Sequence, residues 1–151
     1  MIEAKLKEMG IVLPSPPEPS GHYLPFQISH GLLYLSGQVA RSLDGRRICG
    51  RVGEDVSAEE AYEHARLAGI RLLAVAEDAL GNLDRVSKVV KVLGFVNASP
   101  EFRSHPAVID GCSDLFVEVF GSAGRHARSA IGVSSLPENA TVEIEAVLEI
   151  D

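Results

Sequence analysis

From Ala58 to Leu80 the apolar positions fall at helical spacing. Ala61, Ala65, Ala68, Leu72, Val75 and Ala79 follow one another at intervals of four and three, which places them on a single stripe of one helix. Ser57 and Glu60 form the capping-box pattern at its start, and Gly81 stops it. The alanines along the stripe let this helix approach a sheet closely. At the end of the chain the period changes to two. Val142, Ile144, Ala146, Leu148 and Ile150 share one face of a strand, while Thr141, Glu143, Glu145, Val147 and Glu149 share the other.

The remaining segments follow the same rules. Residues 1–9 predict a short helix ended by Gly10, and the proline-rich "LPSPPEPSG" predicts an extended lead-in. Residues 1–20 therefore form an arm, ahead of a domain over 21–151. "HYLPFQISHGLLYLSGQVARS" reads as two strands joined near His30 and Gly31. "LDGRR" supplies a turn, and a further short strand is expected around "RICG". "LDRVSKVVKVLGFVN" predicts a strand whose early part, with Lys88 and Lys91, is exposed. A second helix is placed near Pro106 to Phe120, followed by a strand from about Ala127 to Val133 and a turn through Pro137 and Asn139.

This order of elements predicts a two-layer α+β domain in which both helices cover one face of the sheet. The glutamate-bearing face of the last strand then meets water or another subunit, which favours a closed oligomer. Arg128 raises a separate question, because a strand interior disfavours a charge that has no partner. It shares its face with the small residues Ala130 and Gly132 and alternates with Ser129, Ile131 and Val133. The space beside it is expected to be a pocket or a tight subunit contact. Its partner is a ligand carboxylate, which its planar fork can grip with two bonds, or else Glu143, Glu145 or a neighbouring subunit.

Composition narrows the chemistry. Twenty-one acidic and 14 basic side chains give a net charge of -7, and the eight Tyr and Phe do not interleave with the densest basic group, "DGRRICGR". Nucleic acid is therefore not an expected partner. No apolar run approaches the length of a membrane span, and the amphipathic start lacks the pattern of an export signal, so the cytoplasm is the expected compartment. Cys49 and Cys112 form no CxxC unit and read as free thiols. His22, His30, His64, His105 and His126 show no metal spacing, and no phosphate-binding or nucleophile-elbow motif occurs, so neither metal nor cofactor is expected. His126 shares the strand parity of Arg128 and is a candidate polar group of a pocket. Ser36, before Gly37, reads as a hydrogen-bond donor or structural polar group.

"HYLPF", "LLYLSGQ", the long helix, "VVKVLGFVN" and above all "HARSAIGVSSLPENATVEIEA" resemble the RidA/YjgF/YER057c/UK114 family of reactive-intermediate deaminases, also labelled endoribonuclease L-PSP. The resemblance covers roughly Gly21 to Asp151. It implies a chorismate-mutase-like fold with a mixed sheet, homotrimers, and ligand sites in clefts between subunits. It further implies that Arg128 holds a substrate carboxylate, that Glu143 positions the attacking water, and that Tyr23 and Ser36 line the pocket. The implied reaction converts small 2-imino or 2-enamino acids into 2-keto acids and ammonia without a cofactor; the alternative is a trimer that binds small carboxylates without catalysis. The ribonuclease label fits poorly with the acidic charge. Several positions depart from the family pattern: Ala130 stands where many members carry cysteine, "GHYLP" replaces "GPYSQ", and Gly132 replaces an acidic residue.

Overall fold

The computed structural model describes residues 1–19 and 21–151. It contains α1 (Ile2–Glu8), β1 (Phe26–Ser29), β2 (Leu32–Val39), α2 (Ala58–Leu80), β3 (Val86–Asn97), α3 (His105–Phe120), β4 (Ala127–Val133) and β5 (Val142–Ile150). The strands form one mixed sheet in the order β1-β2-β5-β3-β4, in which only β3 and β4 run parallel. A parallel pair needs a crossover, and α3 supplies it. The expected two-layer α+β architecture is present, with α2 and α3 on the same face.

Local sequence accounts for the elements. The capping box of Ser57 and Glu60 closes with both reciprocal bonds, and Gly81 ends α2 in the left-handed region at φ 76°. The face carrying Val142, Ile144, Ala146 and Leu148 is the one the helices bury; with Leu33, Leu72, Ile109, Leu115 and Phe116 it makes the centre of the core. Leu6 of α1 joins this core, and the Ile2 amide donates to Asp84 Oδ1 at 2.8 Å, so the first helix is packed onto the domain.

Two expectations are corrected. The segment "RICG" is no strand: it makes only isolated bridges, Arg41 to Arg47 and Cys49 to Ala140, because the backbone turns at Gly45 and Gly50, both at positive φ. The room that Ala130 and Gly132 leave on the Arg128 face is taken by α3 of the same chain, not by a subunit contact. Arg128 pairs with Val92, and Val92 with Ala146, so all three share the helix-covered face. Helix α3 fills that side: a Cβ at Gly132 would meet the His105 ring, and one at Gly94 would meet Ile109. The missing side chains let the helix settle onto the sheet.

The two helices approach still more closely. A Cβ on Gly111 of α3 would run into the Tyr62 carbonyl of α2 and lie 3.1 Å from the Arg66 nitrogen. Backbone cannot rotate away as a side chain can. Gly111→Ala is therefore expected to push the helices apart at a cost of about 3 kcal/mol, lowering Tm by roughly 10 °C, which thermal denaturation checks.

The opposite face of the sheet has no covering layer in the single chain. Tyr34 of β2 and Ile131 of β4 are 44% and 46% exposed there, and Glu145 is exposed on β5 between those strands. Among the described residues, no helix is long and apolar enough to cross a membrane.

Candidate active site

Glu143 of β5 pairs with Phe95 of β3 and Val39 of β2, on the face away from the helices. Its carboxylate lies against β2 where the pairing slips between Leu35 and Gln38. Gly37 sits in this irregular stretch. A Cβ there would lie 2.8 Å from Glu143 Oε2 and 3.1 Å from its Cδ, so the absent side chain makes the berth for the carboxylate. Burial, and secondarily the charge of Glu145, raises the Glu143 pKa above the ordinary carboxylate value. A carboxylate with a raised pKa, in reach of water, is suited to accept a proton near neutral pH.

Glu143 opens into a cavity of about 600 Å³. Tyr23 and Gln38 line it beside Glu143, Arg41 and Glu138 stand at one side, and Arg71 comes from α2. Pro17, Glu18 and Pro19 of the arm also contribute to its wall. The proline-rich lead-in thus lies along the cavity. Glu138 is held at φ 61° in the turn before β5, and its carboxylate takes two bonds from Arg41 Nη2, at 2.6 and 2.7 Å, and an ion pair from Arg47 at 3.2 Å.

Ser36 fixes the loop that carries Tyr23. Its hydroxyl donates to the Leu24 carbonyl at 2.6 Å, and its amide bonds to the Pro25 carbonyl at 2.9 Å. Tyr23 itself is 55% exposed. Ser36 lies in a shallower hollow that shares Tyr23 with the main cavity.

Arg128 lies on the other face of the sheet from Glu143. Its Nη1 donates to Asp110 Oδ1 at 2.8 Å and to Ser113 Oγ at 3.1 Å, both on α3. The intramolecular carboxylate partner is therefore Asp110, not Glu143 or Glu145. Proton positions in this network follow from the acceptors. The Gly124 carbonyl can only accept, so His126 Nδ1 carries the proton in their 2.6 Å bond. Burial lowers the His126 pKa and favours the neutral ring, so Nε2 accepts from the Ser113 hydroxyl at 2.9 Å. The Ser113 oxygen is then left to accept from Arg128. His126 thus orients Arg128 through Ser113 and does not line the Glu143 cavity. Arg128 Nε and Nη2 have no hydrogen bond among the described residues, and the side chain is 21% exposed. Ala130, two residues on, packs half-buried against the core.

Within one chain, then, Glu143 and Tyr23 come together, Ser36 braces them, and Arg128, His126 and Ala130 stand apart behind the sheet. Sequence reasoning missed Asp110, Ser113, Arg41, Arg71 and Glu138. Asp110 and Ser113 carry a legible signal, polar residues three apart within the apolar "VIDGCSDLFV". Arg71 carries another, three residues after Ala68 and four before Val75 of the buried stripe. Among the described residues no cluster of His, Cys, Asp and Glu could hold a metal. His64 is satisfied by Thr141 Oγ1 at 3.0 Å, and Cys112 is a fully buried thiol whose pKa burial raises.

The berth at Gly37 makes a specific prediction. Gly37→Ala displaces the free end of Glu143 and leaves the backbone alone. Any activity that uses Glu143 should fall about tenfold or more while Tm barely changes, because small misplacements of a reacting group are costly. Steady-state kinetics beside a melting curve check it.

Known proteins resemble this chain over nearly its whole length. The crystal structure of Atu1372 from Agrobacterium tumefaciens superposes with a TM-score of 0.92 at 44% identity, covering 99% of this chain and 92% of that one. Protein TCP17 of Trypanosoma cruzi is 38% identical over 99% of this chain and 94% of its own. A 2-iminobutanoate/2-iminopropanoate deaminase of Dermatophagoides farinae is 33% identical over 93% of this chain and 95% of its own. The family described as "YjgF/chorismate_mutase-like, putative endoribonuclease" matches residues 3–149, and with that span and these relatives the chain belongs to the RidA/YjgF/YER057c/UK114 family.

Proposed function

We propose that the protein hydrolyses small 2-imino acids, and 2-enamino acids after their tautomerisation, to 2-keto acids and ammonia. The observation that carries this reading is the Glu143 carboxylate, lodged against Gly37 with a raised pKa at the wall of a cavity of about 600 Å³. A protonated imine is already electrophilic, so the reaction needs a positioned substrate and a water whose proton has somewhere to go. Glu143 accepts that proton as the water oxygen bonds to the C=N carbon. It returns the proton to the nitrogen of the tetrahedral adduct; as the C–N bond breaks and ammonia leaves, the ionised Glu143 takes the proton of the adduct's hydroxyl, a keto acid remains, and that proton passes to the departing ammonia.

Arg128 anchors the substrate carboxylate through Nε and Nη2, the edge that Asp110 and Ser113 leave free. Because Arg128 and Glu143 stand on opposite faces of the sheet, one chain does not supply both to one ligand. The uncovered face and the exposed edge strand β4 favour a homotrimer in which the arginine of one copy meets the glutamate of the next. The relative from Dermatophagoides farinae supports the chemistry.

The test is the lifetime of 2-iminobutanoate, generated by an amino-acid oxidase and trapped with semicarbazide. The protein should shorten that lifetime in proportion to its concentration. Imine decay at the buffer rate, with 2-oxobutanoate still bound, would instead support a carboxylate-binding trimer.

A further inference from the structure

We infer that Arg71 forms a second anion subsite in the Glu143 cavity, and that the substrates are 2-imino acids carrying a second carboxylate. The inference rests on the proposed hydrolysis for its chemistry and on the cavity for its geometry. Arg71 projects from α2 and is only 9% exposed, yet its Nε has no hydrogen-bond partner among the described residues. A buried guanidinium is ordinarily matched by a carboxylate, since a charge removed from water and left unpaired is strongly unfavourable.

The neighbouring charges do not provide that match. Glu138 is the carboxylate whose charge acts on Arg71, but both its oxygens take bonds from Arg41 Nη2, and Arg47 pairs with it as well. Arg41 is equally committed, with Nη1 donating to the Gly45 carbonyl at 3.2 Å. Arg71 makes no ion pair of its own among the described residues. Burial disfavours its charged form, Arg41 adds to that, and Glu138 offsets it only partly. Of the two guanidinium groups on the cavity wall, Arg71 is thus the one with a fork to offer, and a planar carboxylate is the complementary shape. With the first carboxylate at Arg128 of a neighbouring copy and the C=N carbon at Glu143, a substrate carrying a distal carboxylate satisfies Arg71 as well. A monocarboxylate leaves it bare.

The full-length protein and Arg71→Met are compared on 2-iminoglutarate and 2-iminobutanoate, and on binding of 2-oxoglutarate and 2-oxobutanoate by calorimetry. The wild type should favour the dicarboxylate, and Arg71→Met should lower the dicarboxylate-to-monocarboxylate ratio of kcat/KM about tenfold or more, the value of a lost charge-assisted bond. Arg71→Lys should recover part of that ratio. An unchanged ratio, or an equal loss for both substrates, overturns the inference. If the wild type hydrolyses neither imine, the proposed reaction fails, and the 2-oxoglutarate titration still decides the subsite: binding that weakens in Arg71→Met upholds it, and binding that does not overturns it. Should Arg71→Met not fold, wild-type affinity decides: equal affinity for the two keto acids overturns the subsite, and tighter 2-oxoglutarate binding supports it.

Discussion

Glu143→Gln is expected to lower kcat for imine hydrolysis by about 10²- to 10⁴-fold, the usual contribution of a positioned general base. The amide keeps the shape and fills the same berth against Gly37. It has no charge with which to accept the proton of water, so 2-oxobutanoate should still bind. Stability should move the other way. The folded-state pKa of Glu143 is raised, so the native protein favours the protonated form and loses stability as pH rises through that pKa. A neutral side chain removes this dependence, and Glu143→Gln should melt no lower than the wild type at neutral pH. The same shift fixes the acidic limb of the pH-rate profile. Activity needs the ionised carboxylate and should fall on acidification with a midpoint above that of an ordinary glutamate; a limb at the ordinary value would contradict the role given to the cavity.

Arg128→Met is expected to act on binding. Losing a two-pronged charged contact should reduce kcat/KM by about 10²-fold or more, mainly through KM, because the carboxylate is held in ground and transition states alike. Asp110 loses its partner in this variant, but its side chain is 49% exposed and remains solvated, so the fold should survive. Arg128→Lys should recover little, since an ammonium cannot reproduce the planar fork. A variant with wild-type KM would show that Arg128 serves only to clasp Asp110 and Ser113.

Much of the fold was legible because its signals are local. The capping box, the stripe on α2 and the alternation of β5 each follow from neighbours in sequence, and the structure bears out all three. The faces were legible too: Val142, Ile144, Ala146 and Leu148 are buried by the helices as their pattern requires, with Ile150 partly buried at the strand's end. The relation between Arg128 and Glu143 was not legible, because it depends on the parallel pairing of β3 and β4 and on which layer covers which face. Ala130 and Gly132 read from sequence as the wall of a pocket or a tight subunit contact, not as the bed of a helix. Only the placement of His105 and Ile109 decides for the helix. The partner of Arg128 was missed for the same reason, since Asp110 lies 18 residues away on another element. The cavity cations were missed because Arg41 lies in an irregular loop and Arg71 within a helix otherwise read as an apolar stripe.

The shape of the sheet gives the cavity its meaning. The slip in β2 at Ser36 and Gly37 bends the strand where β5 carries Glu143, and it also anchors the loop that brings Tyr23 over the opening. The turn before β5 is held from below. Buried Asn97 donates through Nδ2 to the carbonyls of Gly50 and Ala140 and to Asn139 Oδ1, each at 3.1 Å. Backbone strain at Glu138 and Asn139 is thereby borne by a buried, bonded residue, and the Glu138 carboxylate is left facing Arg41.

The central claim is that Arg128 of one copy and Glu143 of another complete each site, and subunit complementation tests it most directly. Arg128→Met and Glu143→Gln, each about 10²-fold or more below the wild type alone, are unfolded together, refolded as a mixture and assayed for hydrolysis of 2-iminobutanoate at concentrations below the wild-type KM. A productive interface takes its arginine from the Glu143→Gln chain and its glutamate from the Arg128→Met chain, so random mixing should restore about a quarter of wild-type activity. A mixture as inactive as its two parents would contradict a shared site and place both groups, or neither, in the chemistry of a single chain.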